Sequence, residues 1–195
     1  MDNTLLRQLL KDEEGYNPQA HRVEGIWHIG IGHNLEIEQT DEEARILGDY
    51  TLDTVHTLSL TDAQCDALFD IDVGDALEDV QPTFMPDELE ALGETRRAVI
   101  LSMVFQVGGA GFRKFKKFIA AVKARDFSTA AEEMMNSLAA RQTPQRWERA
   151  SFAMRNGYFR EYGTPATAPQ PTETALGHVP DEELLTELTR RIKKK

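Results

Sequence analysis

Only one stretch of this chain carries strand chemistry, and it is short. Residues 16–36, YNPQAHRVEGIWHIGIGHNLE, are rich in turn formers and alternate apolar with polar side chains around Glu24-Gly25. This predicts a hairpin of two short strands followed by a Gly-punctuated strand or loop. The rest of the chain repeats at helical spacing. A hairpin inserted in a helical chain predicts an α+β protein, mostly helical, with a small sheet lobe beside a larger helical one.

The helices have readable ends. Residues 4–14 form the first, with Leu5, Leu6, Leu9 and Leu10 as its apolar stripe, Asn3 or Asp2 as cap and Gly15 as stop. Thr40 precedes a short polar helix with Glu43 in capping-box position. Thr61 precedes a longer one whose buried side is marked by Leu68, Ile71 and Val73. Pro82 and Pro86 break the chain. Residues 94–107 form the most hydrophobic helix and the core of the larger lobe, ended by Gly108, Gly109 and Gly111. Met103, Phe105 and Phe112 fall in that core, and Trp27 in the small lobe. Further helices fit 112–124, 127–140 and 144–156, with Pro144 at a first helical position. Residues 164–180 hold four of the eight prolines and read as a linker before a short basic helix at 181–193.

At 195 residues the chain can build one core, or a small lobe joined to a larger one. Cys65 is its only cysteine, so packing alone must hold the fold. No apolar run approaches the ~20 residues that span a bilayer. The start, MDNTLLRQLLKDEEG, lacks the pattern of a secretory signal. The expectation is a monomer made in the cytoplasm that reaches any outer target only after release. A net charge of −11 excludes a generic nucleic-acid coat. Acidic residues crowd 36–94, whereas 96–160 carry many Arg and Lys, a distribution that suits a positive lobe facing a polyanionic cell wall. The basic end, Arg190 to Lys195, is a candidate contact for an anionic membrane or lipopolysaccharide. His21, His28, His33, His56 and His178 show no ligand spacing, so neither metal nor cofactor is expected.

Glu14 closes the first helix just before the hairpin. A carboxyl at a junction between lobes can be partly desolvated, and desolvation makes a carboxyl hold its proton more tightly, as a glycosidase acid must. By position alone, a solvated member of the acidic run Asp12-Glu13-Glu14 is the more ordinary reading.

Glu14-Gly15, followed by Trp27-His28-Ile29-Gly30-Ile31-Gly32-His33, resembles the catalytic signature of phage-type lysozymes, the endolysin family typified by the T-even phages. Leu60-Thr61-Asp62-Ala63 with Leu68-Phe69 is similar to that family's interlobe helix. Arg96-Arg97-Ala98 through Gln106 is similar to its central helix, and Gln142-Thr143-Pro144 with Arg146 to an element bordering its active site. The resemblance covers residues 5–162 in the family's order. It implies one lysozyme-like domain over 1–163, with a small lobe at 12–60, an interlobe helix at 61–80 and a helical lobe at 81–163 that takes in the N-terminal helix. It also implies hydrolysis of peptidoglycan glycan strands.

Residue by residue, the resemblance implies Glu14 as general acid and Arg146 as its partner. Gln106 and Gly32 would be cleft residues, and His33 with Asp72 a structural pair between small lobe and interlobe helix. Two positions depart from the family. Arg22 stands where it has an Asp in the first hairpin strand, and His28 where it has a Thr. The interval from Glu14 is also one residue shorter. Three readings stay open. His28 can act as base on water or as nucleophile, the first inverting and the second retaining the anomeric centre. Glu24, two residues after Arg22, can supply the carboxylate if the strand is regular. Or the site is silent and the fold only binds glycan, as a wall-binding or phage structural module. Arg22 is either a solvated cation or a charge partner for Glu14 or for wall carboxylates. A secreted bacteriolytic toxin using residues 164–195 for delivery is a further alternative.

Overall fold

A computed structural model describes residues 3–159. The expected linker and basic helix of 164–195 lie outside the described residues. Helix α1 spans Thr4–Glu14, followed by strands β1 (Asn17–Val23), β2 (Ile26–Gly30) and β3 (His33–Asn34). Helices α2 (Asp41–Leu47) and α3 (Asp62–Val80) come next, then α4 (Pro86–Glu90) and α5 (Glu94–Phe112). The described chain closes with α6 (Lys116–Lys123), α7 (Phe127–Met135), α8 (Leu138–Gln142) and α9 (Pro144–Asn156). The protein is thus mostly helical α+β.

The strands form one antiparallel sheet in the order β1-β2-β3. Glu24 and Gly25 make a two-residue turn with φ of 51° and 92°, the left-handed pair that matches the natural twist of a hairpin. Register pairs Arg22 with Trp27 and His21 with His28, and an irregularity in β1 lies between Asn17 and His21.

Two apolar clusters define two lobes. One gathers Ile29, Leu35, Leu47, Val55 and Leu60 around the sheet, with Trp27 packed against it. The other holds Leu6, Leu9 and Leu10 of α1 with the apolar residues of α4 to α9. Helix α3 belongs to both. Cys65 and Leu68 face the sheet cluster, while Phe69, Val73, Ala76 and Val80 face the helical one. The apolar face that joins the lobes is therefore split along one helix. At the centre of the helical cluster, Val99, Ile100 and Leu101 of α5 are fully buried. Each such side chain stabilises by about 1.5–3 kcal/mol, and the middle of the helix, residues 98–104, is buried on every side with Ser102 as its one polar residue.

Several expected boundaries shift. Asn3 stands at the N-cap of α1 but makes no side-chain cap bond. Pro86 opens α4 instead of only breaking the chain, because its missing N–H costs nothing at a first helical position. Gly108 breaks the helix where the sequence placed its end, with φ of 67° and ψ of 164°, but a further turn carries α5 to Phe112, so α6 starts at Lys116 and not at 112. The expected helix over 127–140 is two helices. Ser137 Oγ accepts from Ala140 N at 3.0 Å and caps a new one, as serine hydroxyls do when they compete with a continuing helix. Thr40 and Thr61 do cap as expected, each within a reciprocal capping box with Glu43 and Gln64.

Candidate active site

Glu14 is the last residue of α1, and its side chain is 31% exposed. The chain turns from helix to sheet immediately after it, so the carboxyl stands at the seam between the lobes. Gly32 closes on it from the loop between β2 and β3. A Cβ added at Gly32 would lie 3.2 Å from Glu14 Cβ and 3.5 Å from Cγ, and the residue has φ of +77°. Glycine meets both demands, the left-handed backbone and the missing space.

Helix α9 brings in the cation. Pro144 starts the helix, and its first turn points Arg146 back toward α1. Arg146 Nη1 donates to Glu14 Oε1 at 2.5 Å, while Nε is 3.0 Å from Glu13 Oε2. Nη2 donates to Ser102 O at 3.2 Å and to Ser102 Oγ at 3.3 Å. The planar fork of the guanidinium thus spans two adjacent carboxylates and a buried serine of α5.

Glu13 is the residue that sequence reasoning missed. Its side chain is 2% exposed, and Ser102 Oγ donates to its Oε2 at 2.7 Å. Its other oxygen, Oε1, is buried without a hydrogen-bond partner. Burial pushes the Glu13 carboxyl above the usual carboxylate range. The Arg146 charge and the Ser102 hydrogen bond oppose that rise, and the neighbouring Glu14 adds to it. A signal was present. Leu6, Leu9 and Leu10 set a buried stripe on α1, and position 13 continues it at helical spacing.

A cleft cavity of about 220 Å³ lies between the lobes, walled by Gly32, Asn34 and Ile37 of the sheet side, Ala76 and Asp79 of α3, and Val104 and Phe105 of α5. Gln106 follows on α5, half-buried, with its Nε2 donating to Thr143 Oγ1 at 2.8 Å. A larger hollow of about 790 Å³ is walled in part by Val107, Lys114, Phe115, Leu138 and Gln142.

The hairpin residues separate. Trp27 and Ile29 pack toward the sheet lobe's core, so alternation puts His28 on the opposite, open face of β2. His28 is half-buried, lies across from His21 on β1 and Asn34 on β3, and has its Nδ1 3.1 Å from Ile26 O. Sequence reasoning did not single out His21. Glu24 is not on the strand. It is exposed in the turn with a left-handed φ, so the regular-strand premise that would put it on the face of Arg22 does not hold. Arg22 donates to Gly25 O at 3.0 Å and its guanidinium lies 4.9 Å from the Trp27 ring centre, a cation–π contact. The guanidinium that reaches Glu14 is that of Arg146. The structure brings His33 Nδ1 to 2.8 Å from Asp72 Oδ1, tying β3 to α3, and Glu43 of α2 joins them.

The sequence itself is similar to known proteins. The family described as Phage lysozyme matches residues 11–148. Probable T4-type lysozyme 2 of Dictyostelium discoideum is 28% identical over 165 residues, covering 80% of this chain and 97% of that protein. Probable T4-type lysozyme 1 of the same organism is 28% identical over 166 residues, with 80% and 97% covered. The pre-baseplate central spike protein Gp5 of Enterobacteria phage T4 is 24% identical over 181 residues, 89% of this chain but 32% of that protein. The match spans well over half of the sequence, and with the fold and the seam geometry it places the chain in the phage lysozyme family.

Proposed function

We propose that the chain is a muramidase, cleaving the β-1,4 bond between N-acetylmuramic acid and N-acetylglucosamine in peptidoglycan, with Glu14 as proton donor to the leaving oxygen. The observation that carries this reading is Glu14 gripped by Arg146 at 2.5 Å while packed against Gly32 beside the interlobe cleft. A donor acid must be held in one orientation, and these two contacts fix it. Once the proton has left, the same guanidinium stabilises the carboxylate. Gln106, beside Phe105 at the cleft wall, is suited to hydrogen-bond the glycan.

His28 serves the far side of the sugar ring. It lies on the open face of the sheet, in the strand that leads directly to Gly32. A neutral imidazole there can deprotonate a water, giving inversion, or attack the anomeric carbon, giving retention. Glu24 is the weaker candidate because it sits in the hairpin turn. The match to the phage lysozyme family favours an endolysin that opens the host wall. The match to a phage spike protein favours, as a second reading, a muramidase carried on the virion. Mass spectrometry of purified virions separates these roles.

Digestion of purified sacculi tests the activity. The wild type is expected to release fragments ending in reducing N-acetylmuramic acid, and His28→Ala to lower turnover by about 100-fold. NMR of the first products reads the anomer. Wall binding without new reducing ends would overturn the enzymatic reading, and unchanged turnover in His28→Ala would move the far-side role to Glu24.

A further inference from the structure

His33, Glu43 and Asp72 come from β3, α2 and α3, and one donor atom of each lies within 4.8 Å of the others. His33 and Glu43 are 4% and 3% exposed. Cleavage of a glycan gives this group no task.

Gln39 sets the state of the imidazole. Its amide nitrogen donates to Asn34 O at 3.2 Å and to Ile37 O at 3.0 Å. Its oxygen therefore faces His33 Nε2, 2.8 Å away. An amide oxygen only accepts, so Nε2 carries a hydrogen. That leaves Nδ1 aimed at Asp72 Oδ1 at 2.8 Å. In a neutral imidazole this is lone pair against lone pair, and a cation must bridge them: a proton or a metal ion. Glu43 adds a second carboxylate, this one buried, oriented by the Thr40 N–H that its Oε2 accepts at 2.5 Å. Asp72 feels the charges of His33 and Glu43 and repels the neighbouring Asp75, so negative charge gathers at this spot. One buried and one half-buried carboxylate then share one imidazole.

We propose that His33, Glu43 and Asp72 bind one divalent metal ion of the zinc class, clasping the sheet lobe and α2 to α3. One imidazole nitrogen and two carboxylates, with water in the fourth position, form an ordinary zinc donor set. Calcium and magnesium prefer oxygen alone. With metal–ligand bonds of about 2.0–2.1 Å in tetrahedral geometry, the Nδ1 to Oδ1 gap would open to about 3.3 Å, a shift of about half an ångström. Gln39 already occupies the place of the outer acceptor that fixes a ligating imidazole. The cleft cavity is walled by His33, Asp72 and Asp75 and offers an entry path. The site is structural and independent of the muramidase reading.

Titration of the chelator-stripped full chain with zinc chloride by calorimetry tests the proposal. One equivalent is expected to bind with a dissociation constant in the micromolar range or tighter, and to raise the melting temperature, while magnesium chloride does neither. Glu43→Gln keeps an oxygen for the Thr40 cap and should weaken zinc at least tenfold, and Asp72→Asn at least as much. Absence of stoichiometric uptake by folded wild type would overturn the site, as would unchanged affinity in both variants. Should a variant fail to fold, imidazole nitrogen NMR of the wild type decides. Zinc must shift His33 Nδ1, and a shift confined to other histidines contradicts the assignment.

Discussion

Arg146 Nε lies 3.0 Å from Glu13 Oε2, in a pair whose side chains are 14% and 2% exposed. The same guanidinium reaches Glu14, so the buried pair sets the position of the acid beside it. Removing one partner of a buried pair leaves the other charge in low dielectric and costs about 3–5 kcal/mol. Arg146→Met is therefore expected to lower stability by that amount and to reduce lysis as well. Glu13→Gln together with Arg146→Met should recover part of the stability but not the activity. Thermal unfolding by circular dichroism, read beside turbidity loss of sacculi, checks both.

Gly32→Ala places a methyl 3.2 Å from Glu14 Cβ on a backbone with φ of +77°. The left-handed conformation alone costs a residue with a Cβ about 1–2 kcal/mol. The contact makes the Glu14 side chain give by a few tenths of an ångström, and since a misplacement of about 1 Å costs on the order of 100-fold in rate, a loss of roughly several-fold is expected. Denaturant melts and initial lysis rates are the measurements. The expected pattern is a several-fold rate loss beside a modest stability loss.

The His33–Asp72 pair gives the protein a pH-dependent tie between β3 and α3. Burial alone would lower the His33 pKa, but the hydrogen bond and charge of Asp72, helped by Gln39 and Glu43, raise it above the usual imidazole value. A raised imidazole stabilises the fold fully below the unfolded-state value and loses that stabilisation as pH rises through the folded one. In chelator-treated protein, Asp72→Asn should cost about 2–3 kcal/mol near pH 5.5, the worth of a charged hydrogen bond, and less at pH 9. Denaturant unfolding of both proteins across that range tests the sign. A cost that grows with pH contradicts it.

Much of this architecture is legible in the sequence. Glu14-Gly15 ahead of a turn-rich hairpin, the caps at Thr40 and Thr61, and the apolar run at 98–104 are local signals, and local signals survive folding. Glu13 was half-hidden, because charge suggested solvent while helical spacing suggested burial, and spacing was right. The place of Ser102 beside Glu13, and the approach of Glu43 to His33 and Asp72, leave no mark in the sequence, since both depend on which elements pack together. Glu24 carries two competing local patterns. Period-two alternation assumes a continuing strand, whereas Glu-Gly is turn chemistry and ends it.

The central claim is that one carboxyl, Glu14, supplies the proton that breaks the glycosidic bond. Glu14→Gln preserves the shape and a hydrogen-bond acceptor for Arg146 but cannot donate an acid proton. Release of reducing ends from purified sacculi, measured for wild type and variant at matched folded concentration, tests it most directly. The account predicts a loss of about 1,000-fold or more with a melting temperature close to wild type. Release by a folded Glu14→Gln at the wild-type rate would contradict it.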